Sequence, residues 1–323
     1  MPCPTCNASQ NCPFKNASLN NRFAAPHGLD GILNINKPEK ITSHDVVAAV
    51  RRFSHLQRVG HAGTLDPMAT GVMLVGIGQG VRVTEFLVDH DKQYRARVRL
   101  GIETDSYDAT GTITAQRDVN VTREQVESAL ASFVGKQAQL PPAFSAIKKD
   151  GVPHYKLARQ GKKVELAPRD VEIYSIQLID LQLPDVEFDV HCSKGTYIRS
   201  LAHDLGEKLG CGANLIALTR TASGNFSIDD AHTLDELRDA FEGGYIERYL
   251  HPLDEGLLQF EAIILDPATA KRIEQGIPLT CEREFSTSYI RAYSTDGELV
   301  ALLEPGRTPD SWKPKKVFSI SDS

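Results

Sequence analysis

Apolar and polar positions fall into regular patterns from residue 31 onward, and the patterns predict a succession of short elements. GILNINKP (31–38) is an apolar run ended by the Lys37-Pro38 turn, which predicts a strand. Ser43 can cap a helix whose apolar positions, Val46, Val47, Val50 and Phe53, recur at helical spacing. A long loop punctuated by glycines follows (56–71), and then VMLVGI, a continuous apolar run suited to a buried strand. KQYRARVRLG alternates cleanly: Tyr94, Ala96, Val98 and Leu100 on one face, Gln93, Arg95, Arg97 and Arg99 on the other. It predicts a half-buried strand with a cationic outer face. Thr122 and Gln125 form a capping box for a helix carrying Val126, Leu130 and Phe133. A further helix is expected from about Tyr155 to Gly161. VEIYSIQLIDL and VEFDVHC predict two strands, and SKGTYIR leads into a helix through Leu201, Leu205 and Leu209 that Gly210 ends. The stretch from Asp229 reads first as helix and then as loop, and the tail after Glu261 holds short strands such as ELVALL. Strands and helices mix without regular βαβ alternation, so the fold class predicted is α+β. The break near 252–260 separates a main domain, 31–252, from a smaller one, 261–320, and residues 1–30 are an aperiodic leader expected to be disordered.

Composition narrows the class. A chain of 323 residues has room for about two domains, and 41% hydrophobic with 24% charged residues is ordinary for a globular protein. No apolar run approaches the roughly 18 residues of a membrane span; the longest is interrupted by Gly76, Gly78 and Gly80. The polar N-terminus lacks the apolar stretch of a secretory signal, so a soluble, cytoplasmic protein is expected. The net charge of −6 argues against a nucleic-acid partner until its distribution is read. Between Asp229 and Glu261 stand ten acidic and two basic residues, which leaves +2 for the remainder. From Lys148 to Arg169, seven Lys or Arg stand against Asp150 and Glu165. That segment reads equally as a solvated loop and as a phosphate-attracting track. Cys192, Cys211 and Cys281 are scattered as reduced buried thiols would be. Cys3, Cys6 and Cys12, with His27 far along the tail, fit a disordered leader better than a four-ligand zinc site.

Several chemistries are absent by motif. VGIGQGV lies between a strand and a helix, but Val81 stands where a dinucleotide fingerprint needs Gly or Ala. The sequence contains neither a Gly-x4-Gly-Lys-Ser/Thr phosphate loop nor a His-Glu-x2-His metal helix. No metal and no nucleotide cofactor is expected. What remains is GHAGTLDPMATG (60–71). Its glycines permit unusual backbone conformations, while Pro67 fixes its own φ and extends Asp66. A single carboxylate, Asp66, is thereby presented on a stiff loop beside His61. In isolation, an Asp-Pro pair reads as an ordinary turn.

That loop is one of seven segments that together resemble the TruB family of tRNA pseudouridine-55 synthases. They are GILNINKP (31–38), RVGHAGTLDPMATGVMLVGIG (58–78), DKQYRARVRLG (91–101), TDSYDATG (104–111), LPPAFSAIK (140–148), SKGTYIRSLAHDLG (193–206) and GCGANLIALTR (210–220). They cover roughly residues 31–228 in order, and the GHAGTLDPMATG segment is highly specific. The resemblance implies a pseudouridine synthase fold, with a mixed, mainly antiparallel central sheet, flanking helices and a small PUA-like RNA-binding domain at the C-terminus. It implies that a uridine is flipped out of its stack, its glycosidic bond cut, and C5 rejoined to C1′ with no cofactor consumed. Asp66 matches the family's catalytic aspartate, either a nucleophile or the base of a glycal route. Arg199 matches its charge partner, Tyr94 the residue that stacks on the flipped base, and His61 the one packed where the base leaves. Tyr197 and Leu218 match the lining of the uracil pocket, and Lys37 and Asp108 match nearby polar positions. tRNA is the implied partner of a stand-alone, monomeric enzyme. A guide-RNA-dependent dyskerin-type synthase acting on ribosomal RNA, and a non-catalytic RNA-binding or tRNA-folding module, are the alternatives. The Cys-bearing leader has no counterpart in the family.

Overall fold

The computed structural model describes residues 29–142, 148–149, 152–153, 167–281, 283–308 and 310–318. The leader cysteines, His27, the helix expected from Tyr155, and Lys156, Arg159, Lys162 and Lys163 lie outside the described residues.

In chain order the strands are β1 (Gly31–Lys37), β2 (Val59–Ala62), β3 (Thr70–Ile77), β4 (Lys92–Leu100), β5 (Ile102–Thr104), β6 (Ile113–Gln116), β7 (Gly135–Gln139), the short pair β8 (Lys148–Lys149) and β9 (Val152–Pro153), β10 (Arg169–Gln182), β11 (Asp185–Cys192), β12 (Ala213–Ser223), β13 (Phe226–Ser227) and β14 (Leu250–His251). After them come β15 (Glu261–Ile264), β16 (Leu279–Thr280), β17 (Ile290–Tyr293), β18 (Leu299–Pro305) and β19 (Ser311–Val317). The helices are α1 (Ser43–Ser54), the single turn α2 (Thr84–Leu87), α3 (Arg123–Ala131), α4 (Ile198–Leu209), α5 (Leu234–Gly243) and α6 (Pro267–Glu274).

The main sheet runs β14-β1-β3-β12-β4-β11-β10-β7, with β2 paired to β3 and β13 to β12. All of these pairings are antiparallel except β3–β12. This is the mixed, mainly antiparallel α+β arrangement expected. Because β12 lies between β3 and β4, segments distant in sequence meet at the centre of the sheet. A second sheet, β15-β17-β18-β19-β16, is built from residues 261–317.

Several local details follow from residue chemistry. The cap of α1 is Thr42 rather than Ser43: Thr42 and Asp45 form a reciprocal capping box. That frees the Ser43 hydroxyl for a long-range contact. Thr122 and Gln125 cap α3 as predicted, and Gly210 ends α4 in the left-handed conformation. The glycines of VGIGQGV serve packing, since a Cβ on Gly80 would collide with the Gly31 carbonyl oxygen. The outer face of β4 is not an open cationic surface. Asp189 takes Arg95 at 2.8 Å, while Asp185 takes Arg97 at 2.9 Å and Arg99 at 2.7 Å. These carboxylates come from β11, the neighbouring strand in the sheet.

The largest apolar core, with Ile35, Val46, Met73, Ala96, Val98, Phe188, Leu201 and Leu215, lies between the main sheet and the helices. A second cluster joins Ile32, Ala62, Val72, Leu74 and Phe226 of the main sheet region to Leu302 and Phe318 of the small one. The two sheets therefore share a core. Among the described residues no helix is long and apolar enough to cross a membrane.

Candidate active site

The loop between β2 and β3 carries Asp66, and three kinds of contact hold it. The Ala69 N–H donates to the Asp66 carbonyl at 3.0 Å, closing a turn with Pro67 at its second position. Ser43, released from capping, accepts from the Leu65 N–H at 2.9 Å. Lys37, fully buried at the end of β1, donates from Nζ to the carbonyls of Ala69 (2.6 Å), Pro38 (2.9 Å) and Pro67 (3.3 Å). Burial pushes its ammonium down to about 8, against the opposing pull of Asp66. At the far end of the loop Gly71 has φ +94°, and a Cβ there would collide with the Arg220 carbonyl oxygen on β12. Only glycine lets the two backbones approach this closely.

Opposite Asp66 stands the first turn of α4. Tyr197 is the residue before that helix, and Gln139 at the end of β7 grips it from both sides. The Tyr197 N–H donates to Gln139 Oε1 at 2.7 Å, and Gln139 Nε2 donates to the Tyr197 carbonyl at 3.0 Å. Arg199 then pairs with Asp66, Nη2 donating to Oδ1 at 3.3 Å and Nε lying 2.9 Å from Oδ2. Its Nη1 contacts Asp108 Oδ2 and the Ser106 carbonyl, both at 3.3 Å. The guanidinium is buried, with 6% side-chain exposure, whereas Asp66 keeps 38%. The carboxylate is therefore partly exposed while its charge partner is buried behind it. Asp108 is fixed in turn, its Oδ1 accepting from Thr110 Oγ1 (2.6 Å), Ser106 Oγ (2.8 Å) and the Thr110 N–H (2.9 Å).

Desolvation by burial raises the Asp66 carboxyl above its ordinary range, and the Arg199 guanidinium opposes the rise; Asp108 adds to it. The arginine thus favours the ionised form of a carboxyl that burial pushes toward the neutral acid. On β4, Tyr94 is partly buried against the main core. Burial raises its phenol, and a hydrogen bond and charge from Arg220 work against that shift. Leu218 and Arg220 are the cross-strand partners of Ala96 and Tyr94, so all four side chains share one sheet face. His61 on β2 is held at Nδ1, 3.2 Å from the Gly63 carbonyl, with its ring edge-on to His44. Burial lowers its pKa first, and His44 and Arg220 lower it further.

The structure thus joins Asp66, Arg199 and Asp108 by direct contact and ties Lys37 to the Asp66 loop. Tyr94, Leu218, Tyr197 and His61 sit on the elements around them. Three residues of the site carry no such role in the sequence reading: Ser43 as a loop anchor, Gln139, and Arg220, which ends the matched segment GCGANLIALTR. Arg220 is fully buried, with Nε donating to the Val72 carbonyl at 2.6 Å. An arginine on the core face of an otherwise apolar run, ANLIALTR, is its available signal. Among the described residues no group of three or more His, Cys, Asp or Glu is arranged to hold a metal ion.

The sequence model of the TruB family pseudouridylate synthase N-terminal domain matches residues 51–198, and that of the tRNA pseudouridylate synthase B C-terminal domain matches residues 199–258. The boundary between them falls inside α4, so they divide one sheet and not two structural units; the small sheet lies beyond both. The tRNA pseudouridine synthase B of Dehalococcoides mccartyi (strain BAV1) is 43% identical over 90% of this chain and 97% of its own length. That of Geotalea uraniireducens is 41% identical over 91% and 97%. Among solved structures, a chain from a Cbf5-Nop10-Gar1 complex superposes with a TM-score of 0.72 at 25% identity, covering 90% of this chain and 86% of that one. A chain from an H/ACA RNP bound to a substrate RNA containing 2′-deoxyuridine gives 0.70, also at 25% identity, with the same coverage. With more than two-fifths identity over nearly the full length of its relatives, the chain belongs to the TruB family of pseudouridylate synthases.

Proposed function

We propose that this protein isomerises uridine to pseudouridine at position 55, in the T-loop of tRNA, with Asp66 as the catalytic carboxylate. The observation that carries this reading is the Asp66–Arg199–Asp108 contact, set in a chain 43% identical to a tRNA pseudouridine synthase B. The target base is swung out of its stack, and Tyr94 stacks against it, an interaction worth about 1–3 kcal/mol per base. Tyr197 and Leu218 line the uracil, His61 packs where the base departs, and Lys37 holds the catalytic loop. Asp66 then attacks as a nucleophile or removes a ribose proton. Both routes need an ionised carboxylate screened from bulk water, and the Arg199 charge favours that form. Asp108 orients Arg199. No cofactor enters this scheme, because the atoms of the uridine are rearranged and none is added.

In this reading residues 31–252 are the catalytic domain and 261–320 a PUA-like RNA-binding domain, with tRNA bound by a single soluble chain in the cytoplasm. The similarity to Cbf5 complexes favours, as a second reading, a guide-RNA-dependent enzyme. Purified protein incubated with an unmodified tRNA transcript alone separates the two. Pseudouridine mapped to position 55, and its loss in Asp66→Asn with tRNA binding retained, is the expected result. No modification of the bare transcript would remove the stand-alone reading. Turnover by Asp66→Asn within tenfold of the parent would remove the assignment of Asp66.

A further inference from the structure

Tyr107 has a backbone φ of +64°, in the left-handed region that glycine enters freely and a bulky residue enters at a cost. A tyrosine held there implies that its ring is needed. The surroundings enforce the conformation: the Tyr107 N–H donates to the Thr104 carbonyl, the Leu215 N–H donates to the Tyr107 carbonyl at 3.0 Å, and the Ala109 N–H donates to the Leu215 carbonyl at 2.9 Å. The ring lies flat on that of His203, with centroids 4.0 Å apart and planes 9° from parallel. His203 is four residues after Arg199 on α4, so the two side chains project from one face, a turn apart. Tyr107 immediately precedes Asp108. Two side chains of α4 a turn apart therefore hold the 104–111 loop, Arg199 through Asp108 and the Ser106 carbonyl, and His203 through the Tyr107 stack.

We propose that Tyr107 and His203 are positioning residues, a stacked clamp that fixes the separation of α4 from the 104–111 loop and so holds Asp108 and Arg199 in register with Asp66. The inference rests on the roles assigned above to Asp66 and Arg199. The left-handed turn at Tyr107 aims Asp108 inward, and the ring stack keeps the turn from relaxing. Arg199 holds the loop from one side chain of the helix; the stack adds a second hold a helical turn away and so limits rotation about the first. The strain at Tyr107 is then the local cost of preorganising the arginine.

The test compares ring-deleting with ring-keeping variants in the full-length chain. Tyr107→Gly removes the ring and relieves the backbone, Tyr107→Asn does the same with a residue that tolerates left-handed geometry, and His203→Ala removes the other ring. Tyr107→Phe and His203→Phe keep the stack. Measured quantities are the single-turnover rate at saturating tRNA, the tRNA Kd and the melting temperature. The expected result is a rate lowered about tenfold or more in the ring-deleting variants, with Kd within about twofold. A Tyr107→Gly/His203→Ala double variant should be no slower than either single, and the phenylalanine variants should recover to within about threefold of the parent. The clamp is overturned by ring-deleting variants that turn over at the parental rate while Asp66→Asn is inactive. It is equally overturned if Tyr107→Phe and His203→Phe are as slow as the deletions. An active Asp66→Asn protein would instead overturn the site reading, and the clamp with it.

Discussion

At the scale of single residues, the ionisation of Asp66 decides the chemistry in the function proposed above. Its carboxyl is raised by desolvation and restrained by Arg199. Activity therefore rises with pH through a midpoint above the ordinary aspartate value of 3.8. Arg199→Met removes the charge that favours the anion, so the acid limb moves to still higher pH and the plateau falls. Single-turnover rates across pH check this, and a limb that stays in place in the variant would contradict it. Lys37 supplies the opposite limb. As the ammonium it satisfies three carbonyls around the Asp66 loop, and above about pH 8 it loses one of the three N–H groups. Lys37→Met should lower turnover about 100-fold through a misplaced loop, with tRNA binding little changed. The alkaline limb near 8 should vanish in that variant and persist in Lys92→Met. Lys92 is also depressed to about 8, but it donates to carbonyls at the end of α2 and not to the loop. Asp66, Arg199 and Lys37 can be named from sequence through the family resemblance. Arg220 ends a matched segment, but its part in the site is not legible there, because an arginine in an apolar strand has no periodic signature and only the fold shows that Tyr94 lies across from it.

At the scale of elements, most strands and helices are legible in the sequence because their patterns are local. Alternation in β4 and β11, the Thr122–Gln125 box and the Gly210 stop each involve a few neighbouring residues. Where sequence and structure differ, the difference depends on competing or distant partners. The outward arginines of β4 suggest a cationic face, yet their carboxylates lie about 90 residues away on β11, and no local pattern announces that pairing. Ser43 is a plausible cap for α1, but one residue earlier Thr42 and Asp45 complete a better box, and Ser43 turns to Leu65. The approach of β3 to β12, likewise, depends on one residue, Gly71. Gly71→Ala carries both a left-handed φ, costing an alanine about 1–2 kcal/mol, and a collision with the Arg220 carbonyl. We expect a melting temperature lower by several degrees and loss of turnover even below that temperature, since the same glycine ends the Asp66 loop. A variant with parental stability would show that the two strands separate easily.

At the scale of the whole molecule, packing and charge make separate predictions. The small sheet shares an apolar cluster with Ala62, Val72 and Leu74, which flank the Asp66 loop. Phe318→Ala, costing about 3–5 kcal/mol for a buried phenylalanine, should lower a single cooperative transition seen alike by all probes. Two separated transitions would show that the sheets fold independently. Charge bears on where RNA lies. The β4 arginines are already paired, and so are the C-terminal lysines that could give a second contact: Lys313 and Lys315 with Glu304 at 3.0 and 3.2 Å, and Lys316 with Glu85 at 2.6 Å. The densest basic stretch in the sequence is 148–169, with seven cations against two carboxylates. If RNA follows it, every phosphate left without its cation lowers the slope of log K against log salt by slightly under one unit. Neutralising Lys156, Arg159, Lys162 and Lys163 together should weaken tRNA binding and flatten the salt curve by several such steps, with the rate at saturation little changed. Neutralising Lys313, Lys315 and Lys316 should flatten it less, because binding there must first displace a carboxylate from each ammonium. Equal slopes in the parent and the quadruple variant would place the RNA on another face of the protein.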